Sequence, residues 1–156
     1  MEKIVSIDTN VLVRFLVQDD PLQCAAAKEL FAKHDCFVPE SVLLESEWVM
    51  RAVYGAEPRS IANGYRALLR MGNVLFPDAD LLRQVLDWFE NGFDFADALH
   101  LARSEGYPIR TFDASFVKRA VAHGYQAARP LHRSEEVRDW MESARGERKT
   151  DWRGES

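Results

Sequence analysis

The chain is 156 residues long, 47% hydrophobic and 29% charged, with a formal net charge of −5. That length implies one domain with enough interior for a real core, and the composition is that of a globular protein rather than a disordered or fibrous one. The negative balance excludes a global basic field that draws in nucleic acid, and the longest apolar run is too short to span a bilayer, so no membrane role is expected. Cys24 and Cys36 have no metal-type spacing and no signal-peptide pattern precedes them, which predicts reduced thiols and a cytoplasmic location.

The first element is a strand over 3–7 of the segment KIVSIDTN, with β-branched Ile4, Val5 and Ile7 and a Ser6 small enough for a buried centre. Asp8, Thr9 and Asn10 are turn and cap residues. A helix over 10–18 follows, apolar nearly all round and so expected to be buried. Asp19, Asp20 and Pro21 mark a break and restart, with proline at the first helical position of a helix over 21–34. Its inward candidates include Ala25, Leu30 and Phe31. A strand over 36–38 stops at Pro39.

Helices are expected over 40–54 and 58–71, closed by Gly55 and Gly72. A third strand covers 73–76, and a helix starting at 77–78 runs to about 91. A helix over 94–105 ends at Gly106, a fourth strand covers 108–112, and a helix over 114–123 ends at Gly124. A small edge strand at 126–128 precedes Pro130. Strands alternating with helices predict an α/β fold, a parallel sheet wrapped by helices. Composition shifts at Ser134, so the expected division is a domain over 1–133 and a C-terminal piece over 134–156. In that piece Val137, Trp140 and Met141 suit one amphipathic helix over 135–144, and 146–156 is polar and expected to fray.

Four carboxylates stand apart from ordinary surface charge. Asp8 and Asp113 each follow a strand; if those strands are neighbours, the two acids meet at the carboxyl end of the sheet, where open α/β folds bind ligands. Each also suits the cap of the next helix, and a carboxylate has oxygens enough for both tasks. Glu45 shares a helical face with Val42, Trp48 and Val49, with Glu47 about 200° away on the far side. A carboxylate on an apolar stripe needs a cation, a donor or a cleft; an ion pair with Arg14 or Arg110 is the structural alternative. Asp97 falls on the third residue of a helix that Asp94 caps, which is also a favourable place for an acid near the helix dipole. His100, one turn on, reads as a packed, hydrogen-bonded histidine. If Asp8, Glu45, Asp97 and Asp113 converge, each close pair repels by about 4 kcal/mol at an effective dielectric near 20. Such a cluster requires cations, and oxygen-only ligands select Mg2+ or Mn2+.

The segments SIDTNVLVR, SVLLESEWVMRAVYG, DFADALHLA and TFDASF, in this order and at these intervals, resemble the PIN-domain nucleases, specifically VapC-type toxins of type II toxin–antitoxin pairs. The resemblance implies a PIN-like three-layer fold with a central parallel β-sheet flanked by helices. It implies metal ligands at Asp8, Glu45, Asp97 and Asp113 and Mg2+- or Mn2+-dependent endoribonuclease activity on RNA. A homodimer and a cognate antitoxin that occludes the site are implied with it. Thr9, Asn10, Thr111 and Asp94 are expected as supporting groups around the acids, and Arg14 and Arg110 as phosphate contacts.

Three rivals remain. An aspartyl-phosphate enzyme built on Asp8 lacks the second acid two residues on and a lysine at a strand end. A flap-type DNA nuclease carries extra DNA-binding elements for which this chain has no length. A non-catalytic PIN-like RNA- or protein-binding module is expected to lack some of the acids, and all four are here.

Overall fold

The computed structural model describes residues 3–130 and 142–143. The described chain alternates short parallel strands with helices: β1 (Ile4–Ser6), α1 (Thr9–Val17), α2 (Pro21–Lys33), β2 (Asp35–Phe37), α3 (Glu40–Ala52), α4 (Pro58–Arg70) and β3 (Val74–Leu75). Then come α5 (Ala79–Glu90), α6 (Phe95–Ala102), β4 (Ile109–Arg110), α7 (Ala114–Ala122) and β5 (Ala127–Ala128). The helix expected over 135–144 and the fraying over 146–156 lie almost wholly outside the described residues.

Local chemistry explains the helix starts. Asp20 accepts from the amides of Leu22 and Gln23 ahead of α2, with Pro21 at the first helical position, and Asp78 accepts from Leu81 ahead of α5. These side chains satisfy amides that the first helical turn leaves without partners. α4 and α5 are amphipathic. Ile61, Tyr65 and Leu68 turn inward from one, Leu82, Leu86 and Phe89 from the other, at the three- and four-residue spacing of a single helical face. Burying each such side chain is worth about 1.5–3 kcal/mol before the entropy of ordering it is counted.

The parallel sheet is in two parts. β1, β2 and β3 pair in that order, with Val5 opposite Cys36 and Cys36 opposite Val74. β4 and β5 form a separate parallel pair. β1 and β4 are therefore not ladder neighbours among the described residues, contrary to the adjacency that would have set Asp8 beside Asp113. Among the described residues no strand pairs with the other edge of β1, and Ile4 and Ser6 are exposed instead of central. α1 is likewise less buried than its apolar character suggests. Only Thr9, Leu12 and Val13 are fully inside, and its other apolar residues are half-buried against α2 and α3. In α2 the inward residues are Cys24, Ala27 and Phe31, with Ala25 exposed. Both cysteines are buried free thiols, and burial, with Asp35 nearby, pushes the Cys36 thiol above its ordinary pKa. No helix among the described residues is long and apolar enough to cross a membrane.

Two contacts fix the layers that carry the site. Inside the core the Tyr65 hydroxyl donates to the Leu43 carbonyl at 2.8 Å and lies 2.6 Å from Ser46 Oγ, joining α3 to α4. Removing that hydroxyl with Tyr65→Phe is expected to cost about 0.5–1.5 kcal/mol. The urea midpoint at constant slope measures it; an unchanged midpoint would mean that the bond adds nothing. At the other end, Gly92 takes φ +100 in the turn between α5 and α6, a conformation that favours glycine. Its carbonyl accepts from Arg119 of α7. Phe93 packs edge-on against Phe116 at 6.4 Å, and Trp88 against Tyr125 at 5.6 Å. This cluster seats α7 against the turn from which α6 begins.

Candidate functional site

Three aspartates begin three helices. β1 gives way to Ile7, whose amide donates to the Phe37 carbonyl at 2.9 Å. The next residue, Asp8, is extended and caps α1 by accepting from Val11 N through Oδ1 at 3.0 Å. Asp94 caps α6, its Oδ1 accepting from Ala96 N at 3.0 Å and from Asp97 N at 3.4 Å. Asp113 caps α7, its Oδ1 accepting from Ser115 N at 2.8 Å and Phe116 N at 3.0 Å. The Asp113 amide in turn donates to Thr111 Oγ1 at 3.1 Å, which holds the loop that presents the carboxylate. In each case Oδ1 is spent on the helix, and Oδ2 takes no part in the cap.

Asp97 is half-buried in the first turn of α6. Burial, and then the negative charges of Asp94 and Asp113, hold its carboxyl above the usual carboxylate range, while His100 and Arg119 pull the other way. The structure thus brings Asp94, Asp97 and Asp113 into one electrostatic neighbourhood, formed by the starts of α6 and α7. Among the described residues no three acid, histidine or cysteine side chains stand close enough together to hold a metal ion. The four-acid convergence is not present as a ready-made cage.

α3 reverses the expected phase. Its inward residues are Leu43, Ser46, Glu47 and Met50; Glu45 and Trp48 are exposed. Glu47 is only 2% exposed and is satisfied by Arg51 Nε at 2.7 Å, one turn on. A second nitrogen of Arg51 lies 4.0 Å from Asp94 Oδ2, which links α3 to the start of α6. Exposed as it is, Glu45 has no buried charge that a cation must offset, although it lines a cleft together with Asp94.

Other expected roles shift as well. Arg14 is committed to a network: Nε to Gln23 at 2.6 Å, Nη1 to Asp19 at 2.8 Å and to the Tyr54 hydroxyl at 2.7 Å. It ties α1 to α3 and is not a free phosphate contact. Asn10 is exposed and Thr9 buried beside Asp8. Arg110 is exposed, bonding only to the carbonyl of Ile109 at 3.1 Å among the described residues. His100 is exposed instead of packed. Sequence reasoning missed the Glu47–Arg51 pair and Arg119. The pair had a local signal, since acid and base four residues apart on a helix face each other. The Arg119 contact with Gly92 spans 27 positions and had none.

A family model described as PIN domain matches residues 5–122. No curated protein and no solved structure matches.

Proposed function

Since the chain belongs to the PIN domain family, whose members are generally nucleases that use divalent metals, we propose that it is a Mg2+- or Mn2+-dependent endoribonuclease, the VapC-type toxin of a toxin–antitoxin pair. The observation that carries this reading is the Asp94–Asp97–Asp113 neighbourhood, in which burial and the like charges of Asp94 and Asp113 raise the pKa of the half-buried Asp97. A half-buried acid perturbed by burial and by neighbouring carboxylates marks a functional site more often than ordinary surface does.

The donor chemistry suits a hard cation. Mg2+ keeps several waters and is held by one or two carboxylates plus substrate phosphates, so a closed protein cage is not required. Asp8, Glu45, Asp97 and Asp113 would hold it, with Asp94 supporting through water or as the cap. When bound, the cation supplies Lewis acidity toward a phosphoryl oxygen and a water of lowered pKa. The chain's own part is to fix the carboxylates: the caps on α1, α6 and α7 set three of them, Thr111 steadies the loop before Asp113, and Thr9 packs beside Asp8. Arg119, close enough to act on Asp97, limits the local negative charge, and the exposed Arg110 is placed for a phosphate of the RNA backbone. A homodimer, a small antitoxin that covers the site and a cytoplasmic location complete the proposal.

The alternative is a non-catalytic RNA- or protein-binding module, and the lack of a three-ligand group among the described residues favours it. Incubation of single-stranded RNA with the protein in Mg2+, in Mn2+ and in chelator separates the two. Cleavage that needs the cation supports the nuclease; RNA bound but uncut under every condition supports the module. For the toxin assignment, expression of the chain alone is expected to arrest growth, and co-expression of the adjacent reading frame to restore it. Unimpaired growth with soluble, cleavage-competent protein would remove the toxin assignment and leave the nuclease standing.

A further inference from the structure

Trp48 is 55% exposed on α3, whereas Trp88 lies in the core. A large aromatic surface left in water forgoes the gain from burial, about 25 cal/mol per Å² of apolar area. With Leu44 and Ala96 it forms the apolar lining of a cleft of about 380 Å³, and Glu45, Arg51 and Asp94 edge the same cleft. That size falls within the roughly 300–1,000 Å³ of small-ligand sites. Glu47 fixes Arg51 at 2.7 Å, and Arg51 spans toward Asp94 at 4.0 Å, so the wall beside the indole is braced from within. Asp94 caps the helix that carries Asp97, which sets the cleft next to the proposed cleavage site.

The chemistry of this cleft selects its occupant. Carboxylates at its edge repel a phosphate, and an aliphatic group leaves those carboxylates without donors. A flat neutral ring with N–H donors on its rim satisfies both the indole face and the acids. We infer that Trp48 is the platform on which an unpaired nucleobase of the RNA stacks, holding the adjoining phosphodiester beside Asp94, Asp97 and Asp113. This rests on the nuclease reading and narrows its substrate to single-stranded RNA, because a base inside a duplex has no free face to offer. Adenine, cytosine and guanine carry an exocyclic amine for Glu45 or Asp94. Uracil has no exocyclic amine, and its one ring N–H lies between two carbonyls that the acids repel, so it is disfavoured.

The test measures binding and cleavage separately. A short single-stranded RNA containing 2-aminopurine is titrated into an Asp97→Asn protein, silenced for cleavage but otherwise whole, and fluorescence quenching reports stacking. Adding Trp48→Ala is expected to weaken binding about 10- to 100-fold and abolish the quenching, since base–aromatic stacking is worth about 1–3 kcal/mol per base. Trp48→Phe should restore most of both. Tyr107→Ala should change neither, because that exposed tyrosine precedes β4, opposite the end that leads to Asp113, and is not part of the cleft that Trp48 lines. An all-uridine oligomer should bind more weakly than a mixed one. In the cleaving protein, Trp48→Ala should raise KM more than it lowers kcat. Equal affinity with and without the indole overturns the platform, as does a Trp48→Ala protein whose only change is loss of a dimer in sedimentation. RNA that stacks yet stays uncut by the unsubstituted protein in Mg2+ supports the platform while removing the nuclease reading.

Discussion

Asp97→Asn is expected to lower RNA cleavage by at least about 10²- to 10³-fold, the scale of losing one well-placed electrostatic group, and at the same time to raise the melting temperature at neutral pH. The second effect follows from the direction of the Asp97 shift. Burial, with Asp94 and Asp113, raises its pKa in the folded chain above the unfolded value of about 3.9. Between those two values the native state binds more protons than the unfolded state, so stability falls as pH rises through that window. Asparagine does not titrate and lacks this loss. The melting curves of the two proteins should therefore nearly coincide near pH 3.5 and separate in the variant's favour by pH 7. Mg2+ should stabilise the parent more than the variant, because stabilisation follows binding to the native state. A variant that melts lower than its parent at pH 7 and still cleaves RNA would show that Asp97 is a structural residue of α6.

The second large effect falls on Glu47. Its carboxylate is buried and its partner Arg51 is 43% exposed, so removing the acid strands only one side of the pair in a place where water can reach it. Glu47→Gln keeps the volume and removes the charge, and is expected to cost about 1–3 kcal/mol. Removing one partner of a pair buried on both sides costs more, about 3–5 kcal/mol, and the exposure of Arg51 keeps the cost below that. Glu45→Gln, two residues away and exposed, should stay within about ±0.5 kcal/mol. Urea unfolding of the two variants decides the phase of α3. Equal stability losses would contradict the burial of Glu47, and a loss confined to Glu45→Gln would reverse it.

The contrast between those two glutamates shows what the sequence carried and what it did not. Most described elements were signalled locally, by Pro21 and Pro58 at helix starts, by aspartates at the caps of α1, α2, α5, α6 and α7, and by the β-branched run of β1. The face that α3 buries was not. Its fully buried set, Leu43, Ser46, Glu47 and Met50, holds two polar residues, whereas Val42 and Val49 are only half-buried at the edge of the core and Trp48 is exposed. Hydropathy alone picks the wrong side. The inward polar pair is tolerated because Tyr65 meets Ser46 from α4 and Arg51 meets Glu47. The Tyr65 partner is 19 positions distant, beyond what periodicity can register. The acids of the site were legible by type and by place in the chain, since Asp8 and Asp113 do follow strands and Asp94 does cap α6. Their mutual approach was not, because it depends on how β1 and β4 lie, and the two strands belong to separate ladders.

The capping role of Asp8, Asp94 and Asp113 has a thermodynamic side. A carboxylate already bonded to the amides of its own helix has few rotamers left to lose when a ligand arrives. Ordering a free side chain on binding costs about 0.5–1.5 kcal/mol each, and here folding has met most of that cost. The acids nonetheless sit at the first turns of α1, α6 and α7, the parts of a helix most given to opening. Helix ends open more readily than cores, so fraying of a single turn can disperse these acids while the interior around Tyr65 and Leu86 stays intact. Hydrogen exchange at the amides of Val11, Ala96, Ser115 and Phe116 would then follow the integrity of the acids themselves, and it would slow when a cation or RNA fixes them, well before any change in global unfolding.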